Sequence, residues 1–137
     1  MTQVWERLFL GGLNDAKRLA KAKANPNLVD TVISLCEGCV TSKRPGANYV
    51  HIPIEDEQPV PVGDFDRIID AIAENIRWGT VLVHCGVGIS RAPSLTAAWM
   101  HVVGYKNIDA AIEEIRKVRP FISPSKVLLN SVKEHLK

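Results

Sequence analysis

Two hydrophobic rhythms alternate along the chain. Short runs of β-branched and apolar residues occur at 7–10 (RLFL), 31–36 (TVISLC), 49–54 (YVHIPI) and 80–85 (TVLVHC). They predict strands, the last apolar enough to be central. Between them the spacing lengthens to that of a helix. Residues 14–24 (NDAKRLAKAKA) predict one, with Asn14 as candidate cap and Asn25-Pro26 as stop. Phe65, Ile68, Ile69, Ile72 and Ile76 share one face of a second, which Trp78-Gly79 ends. Past Arg91 the pattern is helical throughout. A helix over 92–103 turns Leu95, Ala98, Trp99, Val102 and Val103 inward, and one over 108–118, opened by Asn107, buries Ile108, Ile112 and Ile115. A third runs over 125–135, after Pro124. The alternation predicts one small α/β domain over residues 1–137, with a central, mostly parallel sheet of about 4–5 strands flanked by helices. Ligands of open α/β sheets bind beyond the carboxyl ends of the strands, where Cys85 falls.

Composition works mainly by exclusion. Of 137 residues 46% are hydrophobic and 23% charged, as in an ordinary globular protein, and 17 basic residues against 15 acidic ones leave a formal charge of only +2. That balance gives no electrostatic reason to expect nucleic acid or membrane as the main partner. Lys43, Arg44, Arg116, Lys117 and Arg119 are read as a solvated face. No window approaches 18 consecutive apolar residues, and the opening MTQVWERLFLGG carries charges where a secretory signal needs an apolar core. Three cysteines are too few for a disulfide framework, so a reducing cytoplasm is the expected compartment. Nothing demands a second subunit, and a monomer is expected.

Chemistry concentrates in VLVHCGVGISRAP, residues 81–93. Gly86 and Gly88 allow the dihedrals that turn successive amides of a short loop toward a single anion. The following helix adds its positive end. Arg91 can fork two N–H bonds onto two phosphate oxygens. The residues from Gly86 through Val87, Gly88, Ile89 and Ser90 to Arg91 thus form a candidate phosphate cradle, and its positive potential favours a thiolate on Cys85 at its base. The site would point a nucleophile at phosphorus. A leaving group must then be protonated. IPIEDEQPVP, residues 52–61, offers Glu55, Asp56 and Glu57 on a loop stiffened by Pro59 and Pro61, and Asp64 follows at a helix start.

HCGVGISR, residues 84–91, resembles the H-C-x-x-G-x-x-R loop of cysteine-dependent protein phosphatases, and over nearly its whole length the chain is similar to their dual-specificity branch. ERLFLGGLNDA resembles that family's opening strand and turn, YVHIPIED the segment delivering its acid, and VRPFISPSK the lead into its last helix. The resemblance implies a protein tyrosine phosphatase-like fold and two-step hydrolysis through a phosphocysteine, with neither metal nor cofactor. It also implies an aspartate acid about thirty residues before the cysteine. Asp56 precedes Cys85 by 29, ahead of Glu55 and then Asp64 as alternatives. It implies a buried His84 that supports the loop. Ser90 either bonds within the loop or is simply small enough to fit.

One departure stands out. Most relatives place a serine or threonine after the loop arginine, where its hydroxyl helps the thiolate leave; here the residue is Ala92. The RAP ending, with ISLCEG at 33–38 and IEDEQPVP at 54–61, resembles the phosphatases of regenerating liver. The chain ends EHLK without their prenylation box, so no membrane anchor is expected. That subfamily also implies a reversible disulfide between Cys36 and Cys85, against plain burial of Cys36. Cys36 and Cys39 form only half of a zinc pattern, and no metal is expected. The expected substrate is a phosphorylated protein or peptide, because a short chain implies a shallow pocket open to phosphoserine and phosphothreonine as well as phosphotyrosine. GVGIS holds no cation besides the adjoining Arg91, which disfavours phosphoinositides, and the low net charge disfavours an RNA 5′-triphosphate. A non-catalytic phosphate-binding scaffold, or arsenate reduction or sulfur transfer by a rhodanese-like domain, would use the same loop.

Overall fold

The computed structural model describes residues 1–38 and 42–137. In chain order it contains β1 (Thr2–Trp5), β2 (Leu8–Gly11), α1 (Leu13–Lys21), β3 (Val29–Ser34), β4 (Asn48–His51), α2 (Val62–Ile76), β5 (Thr80–His84), α3 (Arg91–Val102), α4 (Ile108–Val118) and α5 (Lys126–His135). The strands form one sheet in the order β1-β2-β5-β3-β4, parallel except for β1, which runs antiparallel to β2.

Adjacent side chains of the parallel strands enter opposite cores, as the pleat requires. Leu8, Leu10, Ile33, Val81 and Val83 join α2, α3, α4 and α5 in the larger core. Phe9, Val32 and Leu82 meet Ala16 and Leu19 of α1 on the other face. The β2–α1–β3 and β4–α2–β5 crossovers therefore cover opposite faces and deliver β5 to the middle of the sheet.

Three sequence expectations are corrected. The strand β1 was not expected from its four residues TQVW, but pairing of Gln3 with Phe9 and of Thr2 with Leu10 makes it the sheet edge. The cap of α1 is Gly12 rather than Asn14, which lies inside the helix. Asp15 reaches back to accept from the Gly12 amide at 2.9 Å, and a Cβ on Gly12 would stand 2.9 Å from the Val87 carbonyl oxygen. The end of α3 is the third. Every residue from Ala92 to Met100 is buried, whereas Val102 and Val103 are 52% and 48% exposed. A helix packed on both sides needs no single stripe, and its last turn leaves the core. Asn107 caps α4 as expected, accepting from Ala110 N at 2.8 Å.

Candidate active site

The parallel strands β2, β3, β4 and β5 all end at one rim. There Cys85, 2% exposed, continues the face of Val81 and Val83 into the larger core. Its amide donates to Gly11 O at 3.3 Å. The loop 86–90 curves away and α3 begins at Arg91, bringing the Ala92 amide to donate to Cys85 Sγ at 3.4 Å.

Each carbonyl of this loop is held by a donor from another part of the chain or from the helix that follows. Gly86 O accepts from Leu13 N at 2.9 Å, and Ile89 O accepts from Ser123 N at 2.7 Å. Ser90 O accepts from Ser94 N at 3.1 Å and from Ser94 Oγ at 2.8 Å. The two central carbonyls share one guanidinium: Arg119 Nε donates to Gly88 O at 2.9 Å and Nη2 to Val87 O at 3.3 Å. In a planar trans peptide the N–H points opposite to its C=O, and among the described residues there is no cis peptide. With the carbonyls so held, the amides of residues 87–91 point away from those donors. Gly88 is required at φ +79°, where a Cβ would also fall 2.6 Å from Gly11 backbone atoms.

Arg119 is thus not part of a solvated face. It is 6% exposed, its Nη1 donates to Thr2 Oγ1 at 2.8 Å, and its guanidinium lies 4.6 Å from the centre of the Phe121 ring. Burial pushes it down from the usual arginine range, opposed by the Asp15 carboxylate and the Cys85 sulfur. The cation remains, because arginine starts so high.

Arg91, at the start of α3, donates from Nη1 to Ile54 O at 3.1 Å. The segment beyond β4 continues its pairing, with Ile52 N and Ile54 N donating to Ser34 O and Leu35 O, both at 3.0 Å. That extension delivers Asp56 to the loop. Ser90 Oγ donates to Asp56 Oδ1 at 2.7 Å and accepts from Ser125 N at 2.9 Å, so Ser90 bonds across the site rather than merely fitting. Glu55 and Asp64 line a neighbouring cleft of about 520 Å³ with Glu37 and Gln58. Asp64 accepts from Arg67 at 3.2 Å within the first turns of α2. Of the three candidate acids, Asp56 is the one bonded to the loop.

His84 is fully buried, with Nε2 2.6 Å from Ser34 Oγ and Nδ1 3.3 Å from Cys85 O. Burial pushes its imidazole below 6.5, the Cys85 carbonyl opposing only in part. The neutral ring accepts a hydrogen bond from the Ser34 hydroxyl at Nε2 and donates from Nδ1 to Cys85 O. Cys36 is buried just past β3. There Leu35 N donates to His84 O at 2.9 Å, and Cys36 O accepts from His51 Nε2 at 2.8 Å. Cys39, the other half of the C-x-x-C pair, lies outside the described residues.

Residues 8–137 match the family described as "Dual specificity phosphatase, catalytic domain". Dual specificity protein phosphatase 1 of Homo sapiens is 29% identical over 121 residues, covering 86% of this chain and 32% of that protein. The chain thus spans about a third of that relative's length. The crystal structure of DUSP15 superposes with a TM-score of 0.86 at 29% identity, over 98% of this chain and 85% of the other. That of PTPMT1 in complex with PI(5)P does so with a TM-score of 0.79 at 23% identity, over 97% and 92%, and shares the fold.

Proposed function

This chain belongs to the dual specificity phosphatase catalytic-domain family, and on that footing we propose that it is a cysteine-dependent protein phosphatase acting on phosphotyrosine and on phosphoserine and phosphothreonine. One observation carries the reading: five loop carbonyls are tied outward around one buried thiol, leaving the intervening amides to meet an anion. Such preorganised donors stabilise charge as it develops on the transferred phosphoryl oxygens.

In the proposed first step the Cys85 thiolate attacks phosphorus, the bond to the ester oxygen breaks, and Asp56 gives its proton to the departing oxygen. In the second, water attacks the phosphocysteine, Asp56 takes a proton from it, and the thiolate leaves with inorganic phosphate released. Arg91 forks onto two phosphoryl oxygens in both steps. The regenerating-liver likeness of Ala92 belongs to this reading, as does Cys36 as redox partner. Peroxide would convert the Cys85 thiolate to a sulfenic acid, and the Cys36 thiol would displace water from it to form the disulfide. The loop's poverty in cations favours a phosphomonoester on protein over a phosphoinositide.

Stopped-flow hydrolysis of p-nitrophenyl phosphate, with chelator present, tests the mechanism. The wild type should give a nitrophenolate burst followed by slow turnover, Cys85→Ser no product, and Asp56→Asn a rate lower by about 10²-fold or more. Activity that survives in Cys85→Ser removes the covalent mechanism. Full activity in Asp56→Asn moves the acid elsewhere, with Glu55→Gln the next variant.

A further inference from the structure

We propose that Arg119 is a positioning residue for phosphate: through Val87 O and Gly88 O it sets the direction of the two amides at the crown of the loop, and Thr2 of β1 sets Arg119. The inference rests on the loop being the phosphate site. It adds a residue of α4's C-terminal cap and a strand that precedes the matched segment 8–137.

The crown is where the loop has least support of its own. Its base is fixed by β5 and by the Leu13 amide, and its far end by α3 and Ser123 N. Val87 itself is 68% exposed, and the Val87-Gly88 peptide rests against the Gly11-Gly12 backbone, a contact that supplies no hydrogen bond to its carbonyl. Among the described residues neither central carbonyl has a backbone donor. Without a donor, no hydrogen bond fixes the carbonyls of the Val87-Gly88 and Gly88-Ile89 peptides. Gly88 at φ +79° is the residue that makes their rotation easy. A rotated plane presents an oxygen, not a hydrogen, to the anion. One planar guanidinium holds both carbonyls in a fixed fork, which an ammonium cannot do.

The guanidinium is in turn oriented. Nη1 is taken by Thr2 Oγ1 and one face by Phe121, leaving Nε and Nη2 for the loop. A purely structural arginine at this depth would lose stability on substitution yet leave phosphate affinity untouched. A positioning arginine changes affinity itself.

Calorimetric titration with inorganic phosphate, together with melting temperature with and without phosphate, separates the two in wild type, Arg119→Met, Arg119→Lys and Thr2→Val. In Arg119→Met the Kd for phosphate should rise about tenfold or more, with the phosphate-induced rise in melting temperature shrinking to match. Arg119→Lys should fall between it and wild type, and Thr2→Val should weaken binding about two- to threefold. Wild-type affinity in Arg119→Met, whatever its melting temperature, overturns the proposal. Should that variant not fold, wild-type affinity in Arg119→Lys overturns it equally, and wild-type affinity in Thr2→Val overturns the part given to β1. A wild-type protein that binds phosphate but turns nothing over sinks the enzyme reading alone, since the variant series still decides Arg119. One that binds no phosphate sinks both.

Discussion

In the proposed second step, Ala92 offers no hydroxyl to the departing sulfur. The structure gives Cys85 Sγ a bond from the Ala92 amide at 3.4 Å, so the sulfur has a backbone donor but no side-chain one at this position. One further hydrogen bond to a developing thiolate is worth about 1 kcal/mol, or about fivefold in rate. Ala92→Ser should therefore raise the steady-state rate about fivefold while leaving the burst amplitude unchanged, as read by stopped-flow absorbance. An unchanged steady state would assign the slow step to another event. Cys85, Arg91 and the glycines were legible in the sequence because the groups that meet are neighbours in the chain. Arg119 was not: its Nε partner lies 31 residues away and its Nη1 partner 117. Nothing local in RKVRP marks that arginine as buried.

Among elements, the junction of β3 and β5 carries the most chemistry. Ser34 and His84 sit opposite each other in the parallel register, and their side chains meet at 2.6 Å. Burial holds His84 below its unfolded value of 6.5, so the unfolded chain takes up the proton first as pH falls. Stability then drops as pH falls from about 6.5 toward the lowered folded value, by at most about 1.4 kcal/mol per pH unit for one proton. Urea midpoints measured between pH 7.5 and 5.5 should show this decline in the wild type, and His84→Gln should flatten it. An equal slope in both would place the linked proton on another group. The strands and the amphipathic α2 and α4 were readable from their periods. Two elements were less so, for opposite reasons. In α3 nearly every side chain is buried, so no face stands out, and β1 is an edge strand held by backbone pairing and by Trp5 against Trp99 and Tyr105.

At the scale of the molecule, the loop after Cys85 is bonded to α1, α3, the turn after α4 and the segment before α5, so its shape depends on the whole fold. Phosphate at about 100 times its Kd should add about 2.7 kcal/mol to global stability. Catalytic activity and tryptophan fluorescence should be lost together in one urea transition, with the midpoint raised by phosphate. Activity lost well before fluorescence would mean that the loop melts on its own. The same arrangement has a consequence for a chain still being made. Gly88 leaves the peptidyl centre 31 residues before Arg119, an interval of about 2 to 6 s at ordinary elongation rates. During that interval the nascent chain carries its cysteine and all of its loop glycines, yet lacks the cation that turns the crown amides. The thiol is synthesised well before its cradle, and the last parts needed, Arg119, Ser123 and Ser125, belong to the connection between α4 and α5 rather than to the signature itself.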